Sequence, residues 1–312
     1  MNELGVDGSQ EGDLLASYVR MSREALVERA EKAKAQLKKC SLCPRGCGAD
    51  RLSGKRGFCR GGRMARVSSY APHFGEEPPL VGTGGSGTIF LAGCNLGCVF
   101  CQNHEISQED DGIELEGEHL AKIMVYLQEL GCHNINFVTP THFVPQILEA
   151  LVIARDLGLK IPLVYNCGGY ESLETLKLLE GIFDIYMPDV KYGSEETALK
   201  YSNAPGYVEC CQEALREMHR QVGDLKIENG LASRGLLIRH LVLPGGIAGT
   251  PSAVKFLEGL SKDTYLNIMA QYHPAYKAVE YPEINRPITL MEYKDAVKQA
   301  VAVGLIRGLD IY

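Results

Sequence analysis

Three cysteines in a short, glycine-containing loop are the residues of this chain best suited to chemistry. Cys94, Cys98 and Cys101 form a C-x3-C-x2-C triple, with Gly93 before it and Gly97 inside it. Three thiolates can bind three irons of a [4Fe–4S] cluster and leave the fourth iron open to an exchangeable ligand. The two glycines let the backbone bend closely around such a cluster. The spacing therefore predicts an iron–sulfur site with one open iron.

A zinc site is the alternative interpretation of the same loop. His104 follows shortly after the triple and would supply the fourth ligand of a closed, tetrahedral zinc. The iron–sulfur interpretation is favoured because the loop comes directly after a predicted strand, where βα enzymes place their active sites. Structural zinc more often organises small domains.

A second set of four cysteines lies nearer the N-terminus in a C-x2-C-x3-C-x11-C arrangement: Cys40, Cys43, Cys47 and Cys59. Four thiolates are enough to close a tetrahedral zinc or a second [4Fe–4S] cluster. Free cysteines are the alternative, and a bound metal is favoured because the surrounding Gly, Arg and Cys residues cannot form an apolar core. The two regular C-x2-C pairs of common zinc knuckles are absent from the sequence, which favours iron–sulfur. Three other cysteines are interpreted as ordinary buried or helical residues: Cys132, Cys210 and Cys211.

Composition and charge limit the class of protein. The chain has 312 residues, 45% of them hydrophobic, and a formal net charge of −7, which gives no support to nucleic-acid binding. The basic stretch Lys55–Arg66 is interpreted as a solvated or metal-site loop. The first 20 residues are polar and acidic rather than a signal segment, and no apolar run reaches the roughly 20 residues of a membrane helix. Eleven cysteines in such a chain indicate metal binding in a reducing compartment, so we expect a cytoplasmic protein.

Three parts of the chain are predicted from changes in composition. Residues 1–39 contain a disordered start, to about residue 15, and a helix over about Ser22–Lys38. Residues 40–85 contain the four-cysteine module and a connector rich in Pro and Gly, which begins at about Tyr70. Residues 86–312 form the core domain, which ends with a helix over about Leu290–Ala302.

Short apolar segments alternate with helical patterns from Thr88 onward. Each segment is bounded by turn residues, as buried parallel strands are. The predicted strands are Thr88–Ala92, Asn134–Val138, Ile161–Asn166, Ile182–Met187, Gly235–Val242 and Tyr265–Ala270. The predicted helices are 120–130, Phe143–Leu157, Leu173–Glu180, Glu195–Gln221 and Ala253–Leu260. Six βα units predict an α/β fold, a partial (β/α)6 TIM-type barrel with an N-terminal helix and a cysteine-rich metal-binding extension. An open parallel sheet is the alternative, and either fold places the site at the carboxyl ends of the strands.

The three-cysteine loop resembles the signature of the radical S-adenosylmethionine (SAM) superfamily. The resemblance covers about residues 82–273. It implies that SAM chelates the open iron and that an electron from the cluster splits the sulfonium. The resulting 5′-deoxyadenosyl radical would then abstract a hydrogen atom from a substrate. Within the superfamily, the stretch Met187–Lys191 resembles the M-x-D-x-K segment of glycyl-radical-enzyme activases similar to pyruvate formate-lyase activating enzyme.

The resemblance also implies which residues hold SAM. Asp189 and Lys191 match the activase segment, Arg239 resembles a SAM-contacting arginine before a V-P-G turn, and His273 resembles a histidine after the sixth strand. Asn166, with Cys167, occupies the place where activases have an Asp-Thr pair bordering a monovalent cation. A carboxylate of SAM needs a cation such as Lys191 or Arg239, and its ribose hydroxyls need acceptors such as Asp189. Each residue also has a purely structural interpretation. Asp189 and Lys191 would be a solvated ion pair on a loop. Arg239 would extend from its strand to solvent, and His273 would be a hydrogen-bonded histidine in a turn.

One segment departs from the superfamily pattern. The Gly-Gly-Glu motif that receives the SAM amino group is replaced by Val138-Thr139-Pro140-Thr141-His142. Thr139, Thr141, backbone carbonyls or a neutral His142 are the predicted acceptors for that amino group. Further along the chain, three features are predicted from position alone to border the mouth of the pocket: Tyr276, Glu280 and Glu283–Arg286.

Three functions are compatible with these motifs. The first is a radical SAM enzyme that activates a glycyl-radical enzyme such as pyruvate formate-lyase. The second is radical SAM modification of a small molecule, peptide or nucleic acid. The third is a non-enzymatic metal-binding protein. For an enzyme, the expected cofactors are a [4Fe–4S] cluster and SAM, with a second cluster or zinc in the four-cysteine module. The expected partner is a low-potential electron donor such as flavodoxin or ferredoxin.

Overall fold

The computed structural model describes residues 15–109 and 111–309. The disordered start predicted for residues 1–15 therefore lies, apart from Leu15, outside the described residues. The strands are β1 (Ala65–His73), β2 (Ser86–Leu91), β3 (Ile113–Leu115), β4 (Ile135–Val138), β5 (Leu163–Cys167), β6 (Ile185–Pro188), β7 (Lys226–Glu228), β8 (Leu231–Leu241) and β9 (Tyr265–Met269). The helices are α1 (Arg23–Ala35), α2 (Pro78–Val81), α3 (His104–Gln108), α4 (Gly117–Glu129), α5 (Val144–Asp156), α6 (Leu173–Leu178), α7 (Glu195–Ser202), α8 (Tyr207–Val222), α9 (Thr250–Leu260) and α10 (Leu290–Ala302).

Six parallel strands form the centre of the sheet, in the order β2–β4–β5–β6–β8–β9. They are the six strands that the sequence predicts, and the helices between them confirm a partial TIM-type barrel. The sheet does not close, because β9 pairs only with β8 among the described residues. The carboxyl ends of the six strands meet at one edge, where the polar motifs follow.

The central strands are apolar because both of their faces are covered. β5 and β6 are buried along their whole length, as parallel strands between helices are. The helix predicted over 120–130 corresponds to α4, in which Leu120, Met124 and Leu127 are fully buried, whereas Leu130 at its end is exposed. These residues belong to the main core that holds the strand edge in place.

The predicted N-terminal helix is confirmed as α1. Ser22 caps it by accepting a hydrogen bond from the Ala25 N–H at 3.1 Å. The helix lies against α5, and Lys34 and Glu149 form an ion pair of 2.9 Å between the two helices. In the part of the chain that the structure describes, no helix is long and apolar enough to cross a membrane.

The structure adds three strands that the sequence analysis does not predict. β1 pairs antiparallel with β2 and β3 pairs with β1, so part of the predicted connector lies in the sheet. Residues 69–71 of β1 are exposed, which leaves little apolar pattern to detect. β7 forms a hairpin with β8 through Asn229 and Gly230, which have φ of 52° and 82°. An Asn-Gly pair is a strong hairpin signal, so it could have predicted β7.

The single helix predicted over Glu195–Gln221 is wrong. The chain forms α7 and α8 instead, separated by residues 203–206. Asn203 ends α7 in the left-handed region with φ of 46°. Pro205 then disfavours helical geometry in the residue before it, and Gly206 has φ of 67°. The break places the C-terminus of α7 beside the three-cysteine loop.

An apolar floor closes the amino-terminal end of the barrel. Leu80 of α2 packs there with Val164, Met187 and Leu237 from three strands. Its carbonyl accepts a hydrogen bond from Asn134 Nδ2 at 2.8 Å. The space above this floor opens toward the carboxyl ends of the strands, where the three-cysteine loop lies.

Candidate active site

The three-cysteine loop leaves the carboxyl end of β2 through Gly93. This residue has φ of 83°, and its N–H donates to the Ile106 carbonyl at 2.9 Å. A Cβ at this position would lie 2.2 Å from the carbonyl oxygen of Cys59. Glycine is therefore required both by the backbone conformation and by the close approach of the four-cysteine module.

Each sulfur of the loop has a hydrogen-bonding partner. The Leu96 N–H donates to Cys94 Sγ at 3.3 Å. Ser202 Oγ, at the end of α7, donates to Cys98 Sγ at 2.9 Å, and Ser107 Oγ lies 3.2 Å from Cys101 Sγ. Hydrogen bonds to the sulfurs are one means by which proteins tune an iron–sulfur cluster. Sequence reasoning missed both serines, because neither lies in the cysteine motif.

The electrostatics of the loop fit a bound cluster. Burial raises the pKa of the Cys94 and Cys98 thiols, and the neighbouring cysteines raise that of Cys94 further. The nearby Lys191 ammonium lowers the pKa of Cys98 in opposition. The bare thiols are therefore protonated, and iron that replaces their protons removes the unfavourable buried charge. Three thiols with hydrogen-bonding partners and an adjacent cation are a suitable donor set for a [4Fe–4S] cluster.

A cavity of about 500 Å³ lies above the apolar floor and against this loop. Cys98 and Cys101 line it from one side. The other lining residues include Phe90, Val138, Asn166, Asp189, Lys191, Arg239, Leu241, Asn267 and Met269. A larger hollow of about 660 Å³ lies between β1 and α4, but its lining contains no cysteine. The cavity beside the cysteines is therefore the candidate active site.

Four of the predicted SAM-binding residues come together in the cavity. Asp189 Oδ2 accepts from Lys191 Nζ at 2.5 Å, and Asp189 Oδ1 accepts from Arg239 Nε at 2.8 Å. Arg239 Nη2 also donates to Asn166 Oδ1 at 2.6 Å. The Arg239 guanidinium thus lies between Asn166 and Asp189. Asn166 is one of the two residues whose resemblance to activases implies a monovalent cation nearby. Cys167, the other residue of that predicted cation site, is buried outside the cavity lining.

The charges of this group stabilise one another. Burial by itself would raise the pKa of Asp189, but Arg239 and Lys191 outweigh it and hold that pKa below its usual range. Burial likewise opposes the charged forms of Lys191 and Arg239, and the Asp189 carboxylate raises the pKa of both. All three side chains are charged at neutral pH. Their mutual pairing keeps two cations and a carboxylate at the cavity wall.

The Thr-Pro-Thr-His segment is directed mainly away from the cavity. Thr139 follows the cavity-lining Val138, has φ of 61°, and donates its N–H to the Asn166 carbonyl at 2.8 Å. Thr141 Oγ1 donates to the buried Glu171 at 2.8 Å. Among the described residues, neither threonine lines the cavity. The structure therefore does not bring Thr141 together with Asp189.

His142 lies beneath the cysteine loop. Its Nε2 is 2.9 Å from the Ala92 carbonyl, so Nε2 carries the proton and Nδ1 has no hydrogen-bond partner among the described residues. Burial lowers the pKa of His142 to about 3, which keeps the imidazole neutral. The ring is fully buried and is not part of the cavity lining.

The segment after β9 covers the outside of the cysteine loop. His273 is exposed, and its Nδ1 lies 3.2 Å from Nε2 of Gln102, the residue after Cys101. Tyr276 stacks on His104 with ring centroids 5.0 Å apart. Glu283 accepts hydrogen bonds from Lys200 and Tyr201 of α7, both at 2.6 Å. Neither His273 nor the three features predicted to border the pocket mouth line the cavity in the described residues.

The four-cysteine module packs on the other side of the loop. Cys40, Cys43 and Cys59 are buried, whereas Cys47 is exposed, and all eleven cysteines of the chain are free. Burial raises the pKa of Cys43 to about 12 and also raises that of Cys40. Within residues 15–109 and 111–309, no three His, Cys, Asp or Glu side chains converge closely enough to hold a single ion.

A buried arginine indicates negative charge in the module. Arg51 is 1% exposed and has no carboxylate partner among the described residues. Its Nη2 donates to Cys59 Sγ at 3.2 Å, and its Nη1 donates to the His142 carbonyl at 2.5 Å. A buried guanidinium requires a compensating charge. Metal-bound thiolates would supply that charge, so the buried Arg51 supports a metal in the module even though its cysteines are not gathered around one point.

Arg45 joins the two cysteine sites. Its Nε donates to the Asn95 carbonyl and its Nη2 to the Asn203 carbonyl, both at 2.5 Å. Its guanidinium also lies 3.4 Å from the ring centroid of Phe58. The module is thereby attached to the three-cysteine loop and to the break between α7 and α8.

Known proteins share both the sequence and the fold. The chain matches the radical SAM superfamily over residues 88–245. An uncharacterised protein of Methanocaldococcus jannaschii, MJ0674, is 34% identical, with 89% of this chain and 78% of the relative covered. A second uncharacterised protein of that organism, MJ0808, is 26% identical over 86% of this chain and 80% of its own length. Among solved structures, HydG, a maturase of the [FeFe]-hydrogenase, aligns with a TM-score of 0.50 and 12% identity over 92% of this chain and 62% of that chain.

The barrel, the cysteine loop and the sequence match define a class of iron–sulfur enzymes. This chain belongs to the radical SAM superfamily. Its cofactors are accordingly a [4Fe–4S] cluster and SAM.

Proposed function

We propose that this protein reductively cleaves SAM and abstracts a hydrogen atom from a substrate bound in the 500 Å³ cavity. One observation carries the proposal: Cys98 and Cys101 line the same cavity as Asp189, Lys191 and Arg239. In this proposal, one cavity therefore serves both the cluster ligands and the charged residues that bind SAM. A structural zinc site in a non-enzymatic metal-binding protein would not require such a cavity.

The residues of the site have distinct roles in this proposal. Cys94, Cys98 and Cys101 hold the cluster, which when bound supplies the electron that releases the 5′-deoxyadenosyl radical from SAM. Lys191 directs its remaining N–H donors at the SAM carboxylate. Asp189 orients Lys191 and accepts from the ribose.

Three further residues shape the SAM site in this proposal. Arg239 fixes Asp189 and Asn166 and fills the place of a monovalent cation. The peptide carbonyls around Thr139 receive the SAM amino group, and His273 orders the loop through Gln102.

Anaerobic SAM cleavage tests the proposal. Protein reconstituted with iron and sulfide, then mixed with SAM and dithionite, should form 5′-deoxyadenosine and methionine. Cys98→Ala should abolish product formation, whereas Cys210→Ala on α8 should not. Wild-type protein that carries an EPR-active cluster yet never cleaves SAM would contradict the proposal.

We further propose that the four-cysteine module holds a second metal centre, an iron–sulfur cluster, where an electron donor docks. Residues 32–66 contain eleven Lys and Arg but a single Asp, in a chain with a net charge of −7. The exposed Cys47 lies within this basic segment. An acidic donor such as flavodoxin or ferredoxin is complementary to this basic segment.

Two measurements test the second metal centre and the docking site. Metal analysis should find more than four irons per chain, and binding of flavodoxin should weaken steeply with salt. Zinc in the module, or salt-independent binding, would contradict this part.

Glycyl-radical activation is the more specific candidate. It is supported by the Met187–Lys191 segment, whose Asp189 and Lys191 lie in the cavity as a pair. Incubation with SAM, reductant and pyruvate formate-lyase should then produce the doublet EPR signal of a glycyl radical. SAM cleavage without that signal would favour a small-molecule or peptide substrate.

A further inference from the structure

A pair of carboxylates lies inside the barrel, between the SAM-binding residues and the apolar floor. Glu76 and Glu77 belong to the segment that joins β1 to α2, and both line the cavity. Glu76 Oε1 accepts from Asn136 Nδ2 of β4 at 3.1 Å. Glu77 Oε1 accepts from Asn267 Nδ2 of β9 at 2.9 Å. The pair therefore spans the open side of the barrel, from β4 to β9.

The two carboxylates differ in how their charge is balanced. Glu76 Oε2 lies 3.5 Å from Arg239 Nη1. Glu77 has no ion-pair partner among the described residues, and its Oε2 has no hydrogen-bond partner there. The residue is 6% exposed. Besides the Asn267 amide, the side chain that Glu77 meets most closely is the second carboxyl, Glu76. Two carboxyls so close together are unfavourable as carboxylates unless a proton or a cation compensates them.

Arg239 supplies part of that compensation, because the Glu77 carboxylate interacts with its guanidinium. Both oxygens of Asp189 bind the two cations of the wall, so Lys191 and Arg239 are already engaged. Burial raises the pKa of Glu76, and the neighbouring Glu77 raises it further. Arg239 and His73 both lower the pKa of Glu76, but burial outweighs them. His73 is the other titratable group beside the pair, and its ring packs edge-on against Phe90. Apart from His73, the cavity wall carries three carboxyls, Glu76, Glu77 and Asp189, against two strong cations, Lys191 and Arg239.

We propose that Glu77 binds a positively charged nitrogen of the substrate, which makes the substrate an amine or a guanidine. This inference rests on the proposed function, because the substrate is the molecule from which hydrogen is taken. The position of Glu77 supports it. Glu77 directly precedes α2, whose Leu80 belongs to the apolar floor, and it is bonded to Asn267 of β9, whereas Asp189 and Lys191 follow the carboxyl end of β6. A ligand that reaches Glu77 therefore extends past the SAM-binding group toward the apolar floor.

Two other sources of a positive charge give different outcomes. The SAM amino group is one, because the usual Gly-Gly-Glu acceptor is missing from this chain. A proton shared with Glu76 is the other, and it would leave no role for a ligand. Each predicts a distinct response to the replacement of the carboxylate by an amide.

Calorimetry with a charged probe and a neutral probe of equal length tests the proposal. The probes are n-hexylammonium and 1-hexanol, titrated into cluster-reconstituted protein saturated with SAM. The wild type should bind n-hexylammonium about ten- to hundredfold more tightly than 1-hexanol. Glu77→Gln should remove that preference, and Glu129→Gln, an exposed carboxylate on α4, should keep it.

The outcomes separate the alternatives. Equal binding of the two probes by the wild type means that the pair only shares a proton, and the proposal is wrong. If Glu77→Gln loses SAM affinity by the same factor as it loses n-hexylammonium affinity, Glu77 binds the SAM amino group, and the proposal is again wrong. If Glu77→Gln does not fold, the wild-type comparison with hexanoate as a third probe still decides. Failure of the wild type to cleave SAM would contradict the proposed function without changing the probe preference.

Discussion

The two cysteine sites are held in different ways. In the three-cysteine loop, the hydrogen-bonding partners of the sulfurs come from the loop itself, from α3 and from the end of α7, all anchored to the barrel. In the four-cysteine module, Cys59 Sγ accepts from Arg51, a residue of the module. The apolar cluster of the module contains only Leu37, Cys40 and Leu42 as buried members, with Ala49 packed against them.

This difference separates order imposed by the fold from order imposed by a metal. The loop follows β2 and lies against α7, so its conformation is set before a cluster binds. The module buries a cation and several thiols over a very small core, which is unfavourable without bound metal. Removing metal should therefore affect the two sites unequally.

Loss of metal from the module is expected to have the largest effect. Replacement of Cys40, Cys43, Cys47 and Cys59 by Ser should unfold residues 40–63 locally, because structural metal sites contribute on the order of 10 kcal/mol. Amide hydrogen exchange should show lost protection there, with β4–β6 unchanged. The matched control replaces the three loop cysteines by Ser and should leave the protection of both regions nearly intact. Retained protection in the quadruple variant would mean that the module is ordered without metal.

Arg51 tests whether the module carries thiolate charge. Arg51→Met removes a buried cation and should lower the free energy of unfolding of the metal-loaded protein by about 3–5 kcal/mol. Denaturant unfolding measures this loss, and Arg63→Met, an exposed arginine of the same segment, should cost far less. A neutral or stabilising Arg51→Met would indicate protonated thiols and contradict a bound metal.

Much of the barrel is predictable because its signal is local. Parallel strands buried on both faces produce apolar runs such as Leu163–Tyr165 in β5. The cysteine motifs are likewise local, and so are Asp189 and Lys191 at the end of β6. The antiparallel β1 has an exposed middle at residues 69–71 and no regular apolar pattern, so its place in the sheet depends on pairing with β2.

The parts of the site that escape prediction depend on distant contacts. Ser202 reaches Cys98 only because Asn203 and Pro205 break a helix that the apolar periodicity alone continues. Glu77 enters the cavity because its segment folds back across the open side of the barrel. Thr141 follows a strand end, as SAM-binding residues do, yet its hydroxyl is bonded to Glu171. Position along a strand predicts the edge of the sheet but not the direction of each side chain.

Glu171 lies between the two cysteine regions and gives a pH-dependent prediction. Burial raises the pKa of Glu171 to about 7 from an ordinary 4.5. The folded state therefore binds a proton more tightly than the unfolded state, and stability should fall as pH rises from about 4.5 to about 7. Glu171→Gln should remove about 1–3 kcal/mol of this dependence, measured by denaturant unfolding at pH 5.5 and pH 8.

The control for this pH effect is Glu174→Gln on the exposed start of α6, which should keep the wild-type pH dependence. Thr141 donates to Glu171 Oε1 and Tyr165 donates to Oε2, each at 2.8 Å. Glutamine keeps one of these acceptor oxygens, and its NH2 group can donate to the other hydroxyl oxygen. An identical pH slope in wild type and Glu171→Gln would place the carboxyl outside the titrating range.

The smallest effect is expected at Ser202, and it distinguishes tuning of the cluster from packing. Ser202→Ala removes the hydrogen bond to Cys98 Sγ and leaves the Tyr192 hydroxyl without its partner at 2.6 Å, at a cost of about 1 kcal/mol. Hydrogen bonds to sulfur stabilise the more negative, reduced cluster, so the reduction potential should fall. EPR-monitored potentiometry measures the shift, with Ser69→Ala on the exposed part of β1 as the control. A lower melting temperature with an unchanged potential would mean that Ser202 only packs against the loop, and the barrel would then order the cysteines without tuning them.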